Sequence, residues 1–172
     1  MKRKNLRKLV LTALLTALVC VATLIIQIPS PMQGYLNLGD CFVLLSGWIL
    51  GPWYGCFAGG AGSMLADLFA GYALYAPGTL VIKGLSALVA ALLFAALNRR
   101  GERDVLLWHL LSGIAAESVM VVGYFGYTAL LMGRGIAAAA SIPGNVVQAA
   151  VGIAVSVPMS AIFRKYRLAE KL

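Results

Sequence analysis

The chain has 172 residues, of which 61% are apolar and 12% charged, and its formal net charge is +8. An ordinary soluble domain carries about a quarter charged residues, so this composition predicts an integral membrane protein with one transmembrane domain over residues 1–172. The length leaves room for about six spans of roughly 20 residues and for no second, soluble domain. The positive charge does not indicate a nucleic-acid partner, because the basic residues flank apolar segments and no nucleic-acid motif accompanies them.

Twelve of the 14 basic residues lie in three short clusters that separate apolar segments. The clusters are Lys2, Arg3, Lys4, Arg7 and Lys8; Arg99, Arg100 and Arg103; and Arg164, Lys165, Arg167 and Lys171. The positive-inside rule places such clusters on the cytoplasmic side. All three lie inside only if an even number of spans separates them, and four spans followed by two meet this condition. We therefore predict an all-α integral membrane fold of six transmembrane helices, with the N- and C-termini cytoplasmic.

Taken in chain order, the apolar segments and their breaks predict where each span lies. The predicted spans are about Leu9–Ile28, Cys41–Leu50, Trp53–Ala70, Gly78–Leu97, Val105–Met132 and Ile142–Phe163. The loop from Met32 to Asp40 carries no Lys or Arg and should face outward. The second span ends at Gly51-Pro52, and its roughly 10 residues reach only about half the bilayer when upright.

Small residues recur at four-residue spacing on two helices. Along the third span the pattern runs through Gly51, Gly55, Gly59 and Ser63. This spacing permits close helix contact, and intramolecular packing is the simplest explanation for it. Ala13 and Ala17 form an AxxxA pair in the first span.

Ionisable groups inside a membrane segment are costly and are functional candidates by default. The candidates are Asp40, Asp67, Lys83 and Glu117, and Tyr124, Asn145 and Gln148 lie at similar predicted depth, beneath an outer loop that holds Asn37. This coincidence of depth predicts a ligand pocket open to the outside. Simpler explanations exist for single residues: Lys83 snorkels or pairs with Asp67, Asp40 caps a helix, and His109 is interfacial.

Three acids against one lysine would suit a polar ligand with basic ring nitrogens or several hydroxyls. The inner half offers no continuous polar path, which argues against a channel. The chain has no phosphate-binding motif and no recognisable nucleophile–base pair, and Cys20, Cys41 and Cys56 lack metal-ligand spacing. We therefore expect no catalytic residue, cofactor or metal, and we expect a partner that supplies energy.

Four segments carry a resemblance to a known family. They are Gly34-Tyr-Leu-Asn-Leu-Gly-Asp40, the Gly51-Pro52 break, Leu65-Ala-Asp-Leu68 and Tyr75-Ala-Pro-Gly-Thr-Leu-Val-Ile-Lys-Gly84. The chain resembles, over essentially its whole length, the substrate-binding S component of energy-coupling factor (ECF) vitamin transporters.

The resemblance implies a six-helix S-component fold in a prokaryotic plasma membrane, with a vitamin site near the outer surface under the first loop. It also implies three partners, a transmembrane coupling subunit and two cytosolic ATPase subunits. In that family an AxxxA motif on the first helix docks against the coupling subunit, and Ala13 and Ala17 match this motif. By depth and polarity we expect the substrate to be bound by Asn37, Asp40, Asp67, Lys83, Glu117, Tyr124, Asn145 and Gln148.

The predicted function is thus high-affinity binding of a B-type vitamin or precursor for uptake. Pyridoxine or a thiamine precursor of the hydroxymethylpyrimidine type fits the mixed polar pocket best, and riboflavin comes next. The alternatives are a solitary small-molecule transporter, a structural membrane subunit, and, least favoured, an integral membrane enzyme that uses Asp67, Lys83 and Glu117.

Overall fold

The computed structural model describes residues 3–25, 27–29, 35–98 and 105–165, and these residues form six α-helices and one short antiparallel hairpin. The helices are α1 (Arg3–Ile25), α2 (Gly39–Leu50), α3 (Pro52–Phe69), α4 (Ala76–Asn98), α5 (Val105–Gly126) and α6 (Ile142–Lys165). The hairpin pairs β1 (Ile28–Pro29) with β2 (Tyr35–Leu36). A π-helical segment, Tyr127–Leu131, and a 3-10 helix, Gly135–Ser141, connect α5 to α6.

Four of these helices, α1, α4, α5 and α6, are long and apolar enough to cross a membrane. The helix α2 is apolar but has only 12 residues, as its early break at Gly51 predicts. It meets the 18-residue helix α3 at Gly51, whose φ of +80° suits glycine, and Pro52 then begins α3. The all-α membrane architecture is confirmed, whereas six complete crossings remain a prediction.

The predicted orientation depends on clustered basic residues, half of which lie outside the described part of the chain. Neither the loop that holds Arg99, Arg100 and Arg103 nor the end of the chain after Lys165 is described. The cytoplasmic placement of both termini therefore stays a prediction.

Two predicted boundaries were wrong. The helix α1 begins at Arg3 rather than near Leu9, because Lys and Arg are good helix formers and need not end a helix where the apolar segment ends. It also stops at Ile25, and Ile28 pairs with Leu36 in the hairpin instead of extending the span.

The helix α2 lies at the centre of the bundle and packs against α1, α3, α4 and α6. Glycines make these approaches possible: a Cβ on Gly47 would lie 2.4 Å from the carbonyl oxygen of Ala87 in α4, and one on Gly55 would lie 2.7 Å from the Cα of Gly47. The small residues of α3 thus serve intramolecular packing, as predicted. Because α2 is surrounded, its first turn, which contains Asp40, lies in the protein interior.

His109 is buried between helices, and its placement at the membrane interface stays a prediction. It is 6% exposed, and its ring lies edge-on to Trp48 of α2, with centroids 4.7 Å apart, and 4.1 Å from the ring of Phe94 in α4. Two aromatic rings from neighbouring helices therefore cover it, a long-range packing that position along the chain does not reveal.

Candidate ligand-binding site

A buried ion pair joins the start of α2 to the middle of α4. Lys83 Nζ donates to Asp40 Oδ1, and the two residues are 3% and 1% exposed. Burying two charges removes them from water at a cost of several kcal/mol per ion, so such a pair depends on further hydrogen bonds to its remaining polar atoms. Lys83 therefore does not snorkel, and its ionic partner is Asp40.

Gln148 of α6 supplies one of these further bonds and links the pair to the segment before α2. Its Nε2 donates to Asp40 Oδ2 at 2.6 Å, and its Oε1 accepts from the backbone N–H of Asn37 at 3.0 Å and from Asn37 Nδ2 at 3.4 Å. Asn37 Oδ1 in turn accepts from the amide of Gly39, the first residue of α2, at 2.8 Å. The interpretation of Asp40 as a helix cap was wrong, because α2 already begins at Gly39 and both Asp40 oxygens bond to other helices.

Glu117 of α5 lies beside this network without joining it. Its side chain is 2% exposed, and neither carboxylate oxygen has a hydrogen-bond partner among the residues that the structure describes. It is close enough to Asp40 and Lys83 for their charges to interact. Since buried polar groups are nearly always hydrogen-bonded in native proteins, this carboxyl is the group of the site that is best placed to take a ligand.

An aromatic ring flanks the ion pair. Lys83 Nζ lies 5.4 Å from the ring centroid of Tyr124, within the range of a cation–π interaction, and the Tyr124 hydroxyl donates to Thr79 Oγ1 at 3.0 Å. Sequence reasoning missed Thr79, although its four-residue spacing from Lys83 places both on one face of α4.

The other two predicted site residues lie further out. Asp67, in the last turn of α3, is 6% exposed and is within electrostatic reach of Tyr124. Asn145 is half-buried on α6 and takes no part in the network around Gln148. A second missed residue is Gly152, where a Cβ would lie 2.9 Å from the Cβ of Asp40, so its lack of a side chain lets α6 approach α2.

The site is enclosed and not open as expected. Asp40, Lys83, Glu117 and Gln148 are each 1–4% exposed. Within the described residues, no group of three or more His, Cys, Asp or Glu side chains could hold a metal ion. What the arrangement offers is hydrogen bonding and charge: one ion pair, one amide bridge, one unpartnered carboxyl and one aromatic ring.

Ala13 and Ala17 lie on the face of α1 that points away from the helix bundle, and α1 contributes no residue to the polar cluster. Both are exposed, whereas Thr12, Leu15 and Val19 are buried against the bundle. The large apolar side chains exposed along the same helix are Leu6, Leu9, Val10, Leu14, Leu18, Val21 and Ile25.

Comparison with known proteins assigns a family to this arrangement. The model of a family described as "ECF-type riboflavin transporter, S component" matches residues 3–165. A Pyrococcus woesei protein described as "uncharacterized protein in gap 3'region" is 39% identical over 148 residues, covering 86% of this chain and 95% of the relative. The thiamine precursor transporter HmpT of Lactococcus lactis subsp. cremoris (strain MG1363) is 31% identical over 167 residues, covering 96% of this chain and 92% of the relative.

Proposed function

The chain belongs to the family of S components of ECF-type riboflavin transporters. We therefore propose that it is the membrane-embedded, high-affinity binding subunit for uptake of a B-type vitamin or vitamin precursor. It works with an ECF module made of a transmembrane coupling subunit and two cytosolic ATPase subunits. We place it in a prokaryotic plasma membrane, with both termini cytoplasmic and the binding site toward the outside.

The observation that carries the proposal is the interior cluster of Asp40, Lys83, Gln148 and Glu117. A membrane bundle that needed only stability would have little use for it, because replacing a buried ion pair with apolar residues of similar volume is often neutral or stabilising. Polar and ionisable residues at membrane depth are typical of binding and transport sites. Their convergence from α2, α4, α5 and α6 supports a single ligand site.

The two named comparisons differ over the ligand. The family description names riboflavin, whereas the relative from Lactococcus lactis is named for a thiamine precursor. The mixed charge of the cluster supports a small heterocycle with ring nitrogens, of the hydroxymethylpyrimidine or pyridoxine type, ahead of riboflavin.

Entry of a ligand requires the enclosed site to open. The bonds from Asn37 to Gln148 attach the segment that follows β2 to α6, and the same Gln148 side chain bonds to Asp40 of the ion pair. We propose that these bonds break when ligand enters and re-form over it.

Docking to the coupling subunit is proposed to use α1. Ala13 and Ala17 are exposed and lie one turn apart, so together they leave a shallow surface against which another helix can pack closely.

Uptake of labelled 4-amino-5-hydroxymethyl-2-methylpyrimidine, pyridoxine and riboflavin tests the proposal. Cells that express this chain with an ECF module should accumulate one of the three, and cells with the chain alone should bind it without accumulating it. Accumulation by cells that lack every coupling module would instead support a solitary transporter.

A further inference from the structure

The charges of the described cluster leave one group unmatched. Lys83 is the only basic side chain in the bonded network that the structure describes, and it is paired with Asp40, which also accepts from Gln148. Glu117 is equally buried but receives no hydrogen bond from any described residue. A ligand that occupies this site therefore has to satisfy a carboxyl group with two free oxygens.

Two oxygens about 2.2 Å apart on one carbon favour a partner that presents two adjacent polar atoms in a plane, as in the paired bonds between arginine and carboxylates. We propose that Glu117 determines specificity by binding the edge of a 4-aminopyrimidine, in which an exocyclic amino group stands next to a ring nitrogen. This inference rests on the proposed function and names the substrate class of that same site.

The proposed contact consists of two parallel hydrogen bonds. The amino group donates to one carboxyl oxygen, and the other oxygen and the ring nitrogen share one proton, which either partner can carry. The pair then contains one carboxylate, one neutral aminopyrimidine and one proton, so its net charge is zero. A neutral pair removes the cost of a lone buried charge and needs no second cation in the cluster.

The other candidate ligands match Glu117 less well. The pyridine nitrogen of pyridoxine lies between a ring carbon that bears a methyl group and one that bears hydrogen, so it offers at most one donor at that edge. The polar edge of the riboflavin ring places its N–H between two carbonyl oxygens, which would face the carboxyl oxygens. A hydrogen-bonding site strongly rejects an analogue that leaves its buried polar atoms unpaired.

Replacement of the carboxyl group tests the proposal. Glu117→Leu removes both oxygens, whereas the Glu117→Gln amide can still accept from the amino group and donate to the ring nitrogen, but without the shared proton. We would measure, by calorimetry on the purified full chain, the affinity of 4-amino-5-hydroxymethyl-2-methylpyrimidine and of its 4-dimethylamino analogue, which has no N–H to donate. The proposal predicts that the wild type prefers the amino compound by about 100-fold or more, that Glu117→Gln keeps part of this preference and that Glu117→Leu loses it.

The matched control is Ser118→Ala, which removes an exposed hydroxyl bonded locally to the carbonyl of Ile114 and should leave both affinities unchanged. If Glu117→Leu does not fold, the wild type alone still decides, because the dimethylamino analogue should bind about 100-fold or more weakly than the amino compound.

Equal affinity of the wild type for the amino and dimethylamino compounds would overturn the inference, as would tight binding of pyridoxine or riboflavin that Glu117→Leu leaves unchanged. In that last case the proposed vitamin-binding function would stand. No binding of any vitamin or precursor would overturn both.

Discussion

At the scale of single residues, the site depends on how a few polar side chains divide their bonds. Asp40 uses one oxygen for Lys83 and the other for Gln148, so its charge is matched and both oxygens are bonded. Glu117 receives no hydrogen bond from any described side chain. We therefore propose that the ion pair is the fixed part of the site and that Glu117 is the part that responds to a ligand.

A double-mutant cycle tests the coupling of the ion pair. Lys83→Met leaves the Asp40 carboxylate buried without its counter-charge, and we expect it to lower the free energy of unfolding by about 3–5 kcal/mol. The double variant Asp40→Asn, Lys83→Met buries no lone charge from this pair and should recover most of that loss. The measurement is unfolding in mixed micelles of mild detergent and dodecyl sulfate. If the double variant lost the sum of the two single losses, the pair would not be energetically coupled.

At the scale of elements, the close approaches of α2 decide where its polar end lies. Gly47 contacts the backbone of α4, and Gly152 of α6 leaves space for Asp40. A side chain at either position would separate helices whose polar groups have to meet. These glycines therefore bring the polar side chains of the cluster together, although they have no side chain of their own there.

Gly47→Ala tests the crossing of α2 and α4. The new methyl group would lie 2.4 Å from the Ala87 carbonyl oxygen, so the backbone has to shift, and we expect a loss of about 1–3 kcal/mol in the free energy of unfolding. The control is Gly126→Ala, at a helical position with nothing within 4 Å, which should be neutral or slightly stabilising. Equal effects of the two variants would contradict the close crossing. Unfolding in mixed micelles again provides the measurement.

The hydrogen bonds that attach the segment before α2 to α6 should slow hydrogen–deuterium exchange of its backbone amides. Gln148→Leu removes the acceptor of the Asn37 amide, so hydrogen–deuterium exchange should accelerate at residues 37–39 while exchange within α4 stays unchanged. Ser160→Ala, which removes a local bond to the carbonyl of Val157 on the same helix, is the control and should leave residues 37–39 unaffected. Unchanged exchange in Gln148→Leu would show that other contacts hold this segment.

The sequence predicted the helices and the polar side chains of the candidate site better than it predicted which side chains contact one another. Apolar segment lengths and the Gly51-Pro52 break predicted α2 and α3 closely, because both features are local. The pairing of Lys83 with Asp40 and the burial of His109 were not predicted, because both depend on which helices surround α2. The π-helical segment after Gly126 likewise leaves no local signal in its apolar sequence.

At the scale of the whole molecule, we propose that a polar interior cluster binds the ligand and that an exposed helix face contacts the coupling subunit. The chain is a multi-pass membrane protein of a transporter family, and the polar cluster lies between α2, α4, α5 and α6. The helix α1 packs against α2 and α3 and leaves Ala13 and Ala17 exposed. Binding and energised transport should therefore be separable by mutation.

Ala13→Trp and Ala17→Trp test this separation. Each adds bulk to the exposed face of α1 without touching the cluster, so ligand affinity should remain within about twofold, whereas uptake with the ECF module should fall by about tenfold or more if close helix contact is required. Leu92→Trp, at a position 52% exposed on α4, is the control and should support normal uptake. Equal losses of affinity and uptake in the alanine variants would refute the division.

The most direct test of vitamin binding is native mass spectrometry of the chain purified from cells grown with B vitamins and their precursors, followed by identification of any small molecule released on denaturation. We predict one nitrogen heterocycle of this class per chain. A chain that carries no small molecule, and that binds none of these vitamins or precursors when they are added at micromolar concentration, would contradict the account.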